Sequence, residues 1–280
     1  MNIQWYPGHM TKALRQIKED IKLIDMVIEL ADARILKSSR NPEIKSLTNG
    51  KIHILILNKA DLAEDKVTAE WLDFYKSQGI LALPLDSRAK SGSREVSRLI
   101  DKASALKRAR DLKRGIKNRP VRALIAGIPN VGKSTLINNL AGKKSAKTGD
   151  KPGVTKGKQW IHVNKTLDLL DSPGILWPKF DDEKTGEALA LFGAISDNVF
   201  EKQELALILY DRMTSLYPGK LAEVYGISEE LEKKDVLPAI AASRSLLMAG
   251  GEYDIKRAAD VFLDDLRSGR LGKVSFEKPE

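Results

Sequence analysis

Residues 127–134 read Gly-Ile-Pro-Asn-Val-Gly-Lys-Ser, which fits the phosphate-binding pattern GxxxxGK[ST]. Glycines let backbone N–H groups turn inward around phosphates, and the N-terminus of a following helix adds partial positive charge. Lys133 is predicted to reach the β- and γ-phosphate oxygens, and Ser134 to bind Mg²⁺. The motif lies between a strand pattern at 121–126 and a helical pattern at 135–140, a context that argues against a chance match.

A second polar motif, Asp-Ser-Pro-Gly at 171–174, has the form DxxG. Its predicted roles are Asp171 near Mg²⁺, often through water, and the Gly174 amide at the γ-phosphate. Four residues alone are a weak signal, but about 37 residues beyond a phosphate loop they indicate a nucleotide switch. Between the motifs, Thr155 is the preferred second hydroxyl ligand for Mg²⁺; other threonines here, or an ordinary loop role, are the alternatives.

Asn-Lys-Ala-Asp at 58–61 follows an apolar strand pattern and indicates which base is bound. The Asp61 carboxylate can accept two hydrogen bonds from guanine N1 and N2, which adenine does not offer, so ATP would leave the charge unpaired. Lys59 is predicted to pack along the base and brace the phosphate loop. Ser87 follows the next strand pattern, where a backbone amide would contact guanine O6. The predicted GTP-binding residues are Asn58, Lys59, Ala60, Asp61, Ser87, Asn130, Val131, Gly132, Lys133, Ser134, Thr135 and Gly174.

The elements that position these motifs alternate between strand and helix. Strands are predicted at 26–30, 52–57, 80–85, 121–126, 159–163 and 166–170, with a hairpin turn at 164–165. Helices are predicted at 11–24, with Thr11 as N-cap, and at 66–77, 94–113 and 135–140. This alternation predicts an open, mostly parallel α/β sheet of the Ras-like P-loop NTPase class.

The order of the motifs is permuted relative to Ras-like GTPases, because the guanine motifs precede the phosphate loop and DxxG comes last. Termini that lie close together in a compact domain permit such a circular permutation. After residue 178, helical patterns predict a small all-α domain. We therefore expect a GTPase domain at 1–178 and a C-terminal domain at 179–280, with helices at 187–195, 203–216, 236–248 and 255–266.

Composition narrows the class of protein. The chain has 280 residues and no cysteine, which excludes disulfides and thiolate metal sites and suits a reducing cytoplasm. No apolar run approaches the ~18 residues that span a bilayer. The first ten residues lack the apolar core of a secretory signal. We expect a cytoplasmic protein without a membrane partner.

The net charge of +9 is unevenly distributed. Residues 1–178 hold 33 Lys and Arg against 18 Asp and Glu, or +15, whereas residues 179–280 hold 14 against 20, or −6. Residues 102–122 carry nine basic residues against one acidic, and 143–158 carry six against one. The first domain is therefore predicted to supply much of the salt-sensitive affinity for RNA. A second candidate basic face comprises Arg244, Lys256, Arg257, Arg267, Arg270 and Lys273.

In its motifs and their order the chain resembles the circularly permuted GTPases of the YlqF/YawG family. Trp-Tyr-Pro-Gly-His-Met at 5–10, Asp-Ala-Arg at 32–34 and Asn-Pro at 41–42 extend the resemblance to nearly the whole chain. It implies GTP hydrolysis linked to late maturation of the bacterial large ribosomal subunit. It also implies a C-terminal helical domain that contacts RNA, with rRNA and ribosomal proteins of the subunit precursor as partners.

Hydrolysis needs an oriented water molecule, and the chain departs from Ras-like enzymes here. Ile175 stands where those enzymes carry a glutamine, so turnover is predicted to be slow in the chain alone and stimulated by the ribosome. The family equivalent of His9 is implicated in hydrolysis, so His9 is a predicted catalytic residue. Lys133, predicted to reach the phosphate oxygens, is the other predicted catalytic residue. A surface or RNA-contacting role is the alternative for His9. His53 and His162 fall in strand patterns and are predicted to be structural.

Asn130 lies at a position of the phosphate loop that resembles potassium-activated GTPases, so potassium is a candidate cofactor beside magnesium. The alternative is a turn residue selected for its backbone. Three function classes stay open: a ribosome-assembly GTPase, a GTPase acting in tRNA modification or membrane traffic, and an RNA-binding scaffold with negligible catalysis.

Overall fold

A six-stranded sheet forms the centre of a computed structural model that describes residues 5–117, 119–142, 146, 159–180 and 182–280. Its order is β3-β2-β1-β4-β6-β5, and every neighbouring pair is parallel except β5 with β6. The predicted mostly parallel α/β sheet is confirmed. The strands are β1 (Met26–Asp32), β2 (Ile52–Asn58), β3 (Leu81–Leu85), β4 (Val121–Gly127), β5 (Gln159–Asn164) and β6 (Leu167–Asp171).

The apolar runs of the central strands reflect burial on both faces of the sheet. Leu55 and Leu57 pack with Trp71, whereas Ile54 and Ile56 join the larger core on the other side. Side chains alternate along a strand, so a strand covered on both faces must be apolar at nearly every position.

The helices around the sheet are α1 (Gly8–Asp20), α2 (Leu36–Ser39), α3 (Pro42–Leu47), α4 (Asp65–Ser77), α5 (Lys90–Lys113) and α6 (Lys133–Ala141). The prediction of Thr11 as the N-cap of the first helix is wrong. Pro7 is extended at ψ 148 and its carbonyl accepts from Met10 N at 2.8 Å, so the helix begins three residues earlier. The earlier start brings Met10 into the core with Ala13 and Ile17.

The segment beyond residue 182 is helical in α7 (Glu183–Leu191), α8 (Lys202–Leu216), α9 (Lys220–Tyr225), α10 (Lys233–Ser243) and α11 (Ile255–Ser268). The helix predicted at 187–195 starts earlier because the Asp182 side chain caps it by accepting from Thr185 N at 2.6 Å. Among the described residues beyond 182, the only β pairing is one isolated bridge between Leu247 and Tyr253. No helix in the described ranges is long and apolar enough to cross a membrane.

The last ten residues pack against the turns that follow β1 and β2 and against α4. Val274 N donates to Leu62 O at 3.0 Å, and Phe276 N donates to Arg34 O at 2.8 Å. Trp71 Nε1 donates to the carbonyl of Glu277 at 3.2 Å. The C-terminal segment and the predicted first domain therefore share a hydrogen-bonded interface.

Candidate functional site

The predicted motifs converge on one edge of the sheet, where parallel strands end. Asn58 ends β2, Asp171 ends β6, and the phosphate-loop motif begins at Gly127, the last residue of β4. The loop at 86–88 follows β3 at the same edge. In the sheet, β1 and β4 separate β2 from β6, so the two ends of the site lie about 14 Å apart at about 4.8 Å per strand.

Gly132 allows the phosphate loop to approach the guanine motifs. Its φ is 103°, a left-handed conformation. A Cβ there would lie 2.3 Å from Asn58 Nδ2 and 3.0 Å from Ser87 Oγ. The loop therefore requires glycine here, because a side chain would disfavour this backbone conformation and would clash with Asn58.

Asn58 links three parts of the site through a fully used side-chain amide. Its Nδ2 donates to Val131 O at 2.6 Å and to Ser87 Oγ at 3.0 Å, while Oδ1 accepts from Ser87 N at 2.9 Å. The residue is buried. The phosphate loop and the loop after β3 are thus held in register by one side chain, which the prediction had placed only in the guanine motif.

At the guanine end, the Asp61 carboxylate has one oxygen engaged and one without a partner. Oδ2 pairs with Arg88, whereas Oδ1 is buried and has no hydrogen-bond partner in the described structure. Sequence reasoning did not single out Arg88, although it directly follows Ser87. A buried acceptor without a partner is costly, and a donor pair such as guanine N1 and N2 would satisfy it.

Lys59 contacts a second buried carboxylate. Its φ is 59°, and its Nζ lies 3.0 Å from Asp32 Oδ2. Ala60 follows it in a 3₁₀ turn that also includes Asp61. This turn after β2 directs the lysine to the end of β1.

Arg34, fully buried, connects Asp32 to the helical region. Its Nε and Nη2 donate to the two Asp32 oxygens at 2.9 Å each, and Nη1 donates to Leu266 O and Arg267 O. Its guanidinium lies 4.5 Å from the Phe192 ring centroid. Burial alone raises the pKa of Asp32, but the charges of Arg34 and Lys59 outweigh burial and hold that pKa well below its usual range. In the sequence, the Asp-Ala-Arg motif at 32–34 was identified only as part of the family resemblance, and no role was predicted for Arg34.

At the phosphate end, Lys133 and Asp171 are both buried. Lys133 Nζ donates to Ile128 O at 2.7 Å and Gly127 O at 3.2 Å. Burial lowers the pKa of Lys133 to about 8 against the opposing effect of Asp171, and burial raises the pKa of Asp171 to about 6 against that of Lys133. A Cβ on Gly174 would lie 2.6 Å from Pro129 Cα and 2.9 Å from Lys133 Nζ, so the switch glycine also closes tightly on the loop.

The magnesium prediction fits the donor set. Asp171 Oδ1, at the end of β6, is buried and makes no hydrogen bond among the described residues, so it could serve as a metal ligand. Ser134 lies in the first turn of α6, next to Lys133. Thr155, the other predicted ligand, lies outside the described residues. A hard cation with carboxylate and hydroxyl oxygens is the chemistry these groups suit.

His9 is exposed and lies in the first turn of α1. The next residue, Met10, is buried and its Sδ accepts from Leu176 N at 3.5 Å, two residues beyond Gly174. Ile175 is itself buried, and its side chain carries no polar group that could orient a water molecule. The structure thus places His9 on the helix that packs against the segment after DxxG.

Asn130 joins the phosphate loop to the helical region. It has a φ of 56°, and its Nδ2 donates to Gly193 O at 2.7 Å. Asn130 therefore has the turn conformation that was the alternative to potassium binding, and it also contacts the helical region through Gly193.

The helical region forms a second wall of the cleft, which sequence reasoning missed. A cavity of about 960 Å³ is lined by Gly132 and Thr135 on one side and by most residues of the segment 192–198 and four of the segment 264–270 on the other. Arg267 holds this wall together by donating to Ala190 O and Leu191 O and pairing with Asp197.

The predicted second basic face is largely used in internal ion pairs. Arg244 and Arg270 both pair with the buried Asp265, Arg267 pairs with Asp197, and Lys273 pairs with Asp65. Three carboxylates therefore face these four cations, and one of the three, Asp65, lies on α4 of the predicted first domain.

Similarity to known proteins covers the whole chain. A family model described as "50S ribosome-binding GTPase" matches residues 122–241. Ribosome biogenesis GTPase A of Bacillus cereus is 47% identical over 281 residues, covering 100% of this chain and 95% of that protein. The protein of the same name from Thermotoga maritima is 34% identical, with 99% and 95% covered.

Two solved structures share the fold. GNP-bound YlqF from T. maritima superposes with a TM-score of 0.67 at 31% identity, covering 96% of this chain and 99% of that one. The GDP-bound structure of the T. maritima protein gives a TM-score of 0.65 at 29% identity, with 95% and 99% covered.

Proposed function

The chain belongs to the family of ribosome biogenesis GTPase A (YlqF), and from that premise we propose that it hydrolyses GTP while assisting late maturation of the large ribosomal subunit in the cytoplasm. The observation that carries the nucleotide assignment is the pair of partnerless buried carboxylate oxygens, on Asp61 and Asp171. Their strands end about 14 Å apart, a span that suits a base at one end and a triphosphate at the other.

The roles follow from the chemistry of each group. Asp61 accepts from guanine N1 and N2, with Lys59 along the base and the Ser87 amide at O6. Asn58 holds the guanine and phosphate loops at a fixed separation. Lys133 moves from the loop carbonyls to the phosphate oxygens, exchanging neutral acceptors for charged ones.

Magnesium would be held by Ser134, Thr155 and Asp171, and when bound it neutralises charge on the phosphates. Potassium is a further candidate cofactor, with the Asn130 side-chain oxygen as ligand. Comparing turnover in potassium and in sodium, with and without Asn130→Ala, tests this. Equal turnover of the unmodified protein in both salts removes potassium from the proposal.

For the chemical step, we assign His9 to orienting the attacking water. Support comes from its place on α1, whose Met10 contacts Leu176 just beyond DxxG. Ile175 is buried and provides no polar group, so turnover is expected to be slow without the ribosome. If His9→Ala leaves ribosome-stimulated turnover intact with normal GTP binding, the assignment fails. Lys12→Ala, an exposed residue of the same helix, is the matched control.

The helical region 179–280 would transmit the nucleotide state to the ribosome. Asn130 ties the phosphate loop to Gly193, and Arg34 ties the guanine end to the last turn of α11. Loops ordered by a γ-phosphate commonly drive such movements. The basic excess at 102–122 supplies much of the salt-sensitive RNA affinity in this proposal.

Sedimentation with purified large-subunit precursors tests the proposal directly. We expect co-sedimentation in the presence of a non-hydrolysable GTP analogue, less with GDP, and faster GTP turnover when the particles are added. GTP turnover that ribosomal particles leave unchanged, together with nucleotide-dependent binding, would instead support an RNA-binding scaffold.

A further inference from the structure

We propose that the exposed indole of Trp160 stacks on an unpaired RNA base, beside a basic surface formed by the second half of α5. Trp160 lies on β5, one of the two edge strands of the sheet, and is 41% exposed. The inference rests on the proposed ribosomal function and specifies which surface of the first domain meets RNA. It concerns residues outside the nucleotide cleft.

Trp160 is paired with a cation rather than with the hydrophobic core. The Arg122 guanidinium lies 5.5 Å from the Trp160 ring centroid, a cation–π distance. Exposing a large apolar ring to water is unfavourable by itself, and such rings mark interaction sites when a complementary surface covers them. An arginine on an exposed tryptophan is a combination found where bases stack in single-stranded nucleic acid sites.

Contacts connect this ring to α5. Asp25 Oδ2 accepts from Arg122 N at 3.0 Å, and Asp25 Oδ1 lies 3.5 Å from Lys107 Nζ and 3.6 Å from Arg119 Nη2. One carboxylate therefore faces two cationic side chains next to Arg122. The local charge stays strongly positive after this pairing.

The second half of α5 and the residues after it supply the phosphate-binding charge. Residues 102–122 include nine Lys and Arg and a single acidic residue, Asp111, which pairs with Lys107. Five further cations of this stretch are exposed. They are Lys102, Arg110, Lys113, Arg114 and Lys117.

Charge complementarity favours RNA over other partners. Leu106 and Leu112 are 79% and 63% exposed on the same helix, which by themselves would suit a protein groove or an anionic membrane. The cation-stacked indole adds a feature that neither of these requires, whereas an RNA strand offers a phosphate chain for the lysines and a π face for Trp160.

The test is fluorescence anisotropy of the full chain with a labelled, unstructured RNA of roughly 12 nucleotides and with the same sequence as a duplex. We expect Trp160→Ala to weaken single-strand binding about 5- to 150-fold without changing its salt dependence. Trp160→Phe should retain most of the affinity, because a ring remains. Lys113→Gln should instead lower the slope of log affinity against log salt by about 0.7.

Leu23→Ala is the control for loss of an exposed apolar side chain, since Leu23 is 49% exposed in the 3₁₀ turn after α1. Thermal unfolding and GDP binding establish that each variant is folded. If Trp160→Ala binds the single strand as tightly as the unmodified protein, the inference is overturned, while ribosome-stimulated turnover would still uphold the proposed function.

Two other outcomes also overturn the inference: an equal loss of duplex and single-strand binding, and binding to phosphatidylserine vesicles that depends on Trp160 when RNA binding does not. If the unmodified chain binds neither RNA nor ribosomal particles, the proposed function falls as well.

Discussion

The buried Arg34–Asp32 pair predicts a large and measurable loss of stability on replacing Arg34 with methionine. Arg34 is fully buried and makes two 2.9 Å bonds to Asp32 and two bonds to the carbonyls of Leu266 and Arg267. Methionine fills a similar volume and removes the charge with all four bonds. The change therefore isolates the polar role of the side chain.

Removing one partner of a buried ion pair costs about 3–5 kcal/mol. Lys59 Nζ lies 3.0 Å from Asp32 Oδ2 and still compensates part of its charge in the variant. The cost of losing the ion pair is therefore expected at the lower end of this range, about 3 kcal/mol. Each abandoned carbonyl bond adds about 1 kcal/mol. We expect the free energy of unfolding to fall by about 5 kcal/mol, a large part of the ~5–15 kcal/mol that holds a typical protein folded.

Urea unfolding at neutral pH measures the change. Arg15→Met is the control, because Arg15 is 83% exposed and its ion pair among the described residues is with Glu19 on the same helix, and it should cost under about 0.5 kcal/mol. Combining Arg34→Met with Asp32→Asn should cost less than the two single changes added together, because neither charge is then left alone. The folded-state pKa of Asp32 is lowered, so its stabilisation is complete above pH of about 4 and declines below it. The reasoning is refuted if Arg34→Met lowers the free energy of unfolding by less than about 1 kcal/mol. It is also refuted if the difference in this free energy between the variant and the unmodified protein is as large in acid as at neutral pH.

Three further outcomes are expected. Asp61→Asn should lower GTP affinity by about 30-fold or more and abolish preference over ATP, as measured by calorimetry; unchanged preference for GTP would falsify its role. Asn58→Ala should weaken GDP binding by about 10- to 100-fold because both loops lose their shared anchor, whereas the exposed Asn49→Ala should have no effect. The pKa of Lys133 is about 8, so GDP affinity should fall as the pH rises through about 8 and the lysine loses its charge; a flat profile from pH 7 to 9 would contradict this.

Much of the fold followed from local patterns. Apolar runs at 52–57 and 121–126 predicted strands of a mostly parallel sheet, and the order of the motifs predicted the permuted connection. Such patterns are reliable because burial on both faces of a sheet demands apolar residues in continuous runs. Helix ends were less well predicted, as at Gly8, because the start depends on burying Met10 against Leu176 from a distant part of the chain.

The sequence by itself determined which chemical groups are present and which strand ends they occupy: Asp61, Lys133 and Asp171 were all identified from spacing. Only the tertiary structure decided what surrounds them. The partnerless oxygens on Asp61 and Asp171, the Asn58 link between loops and the second wall at 264–270 arise from residues tens to hundreds of positions apart. Motifs are local in sequence because one turn shapes them, whereas burial, and hence the pKa shifts of Lys133 and Asp171, depends on everything that packs around them.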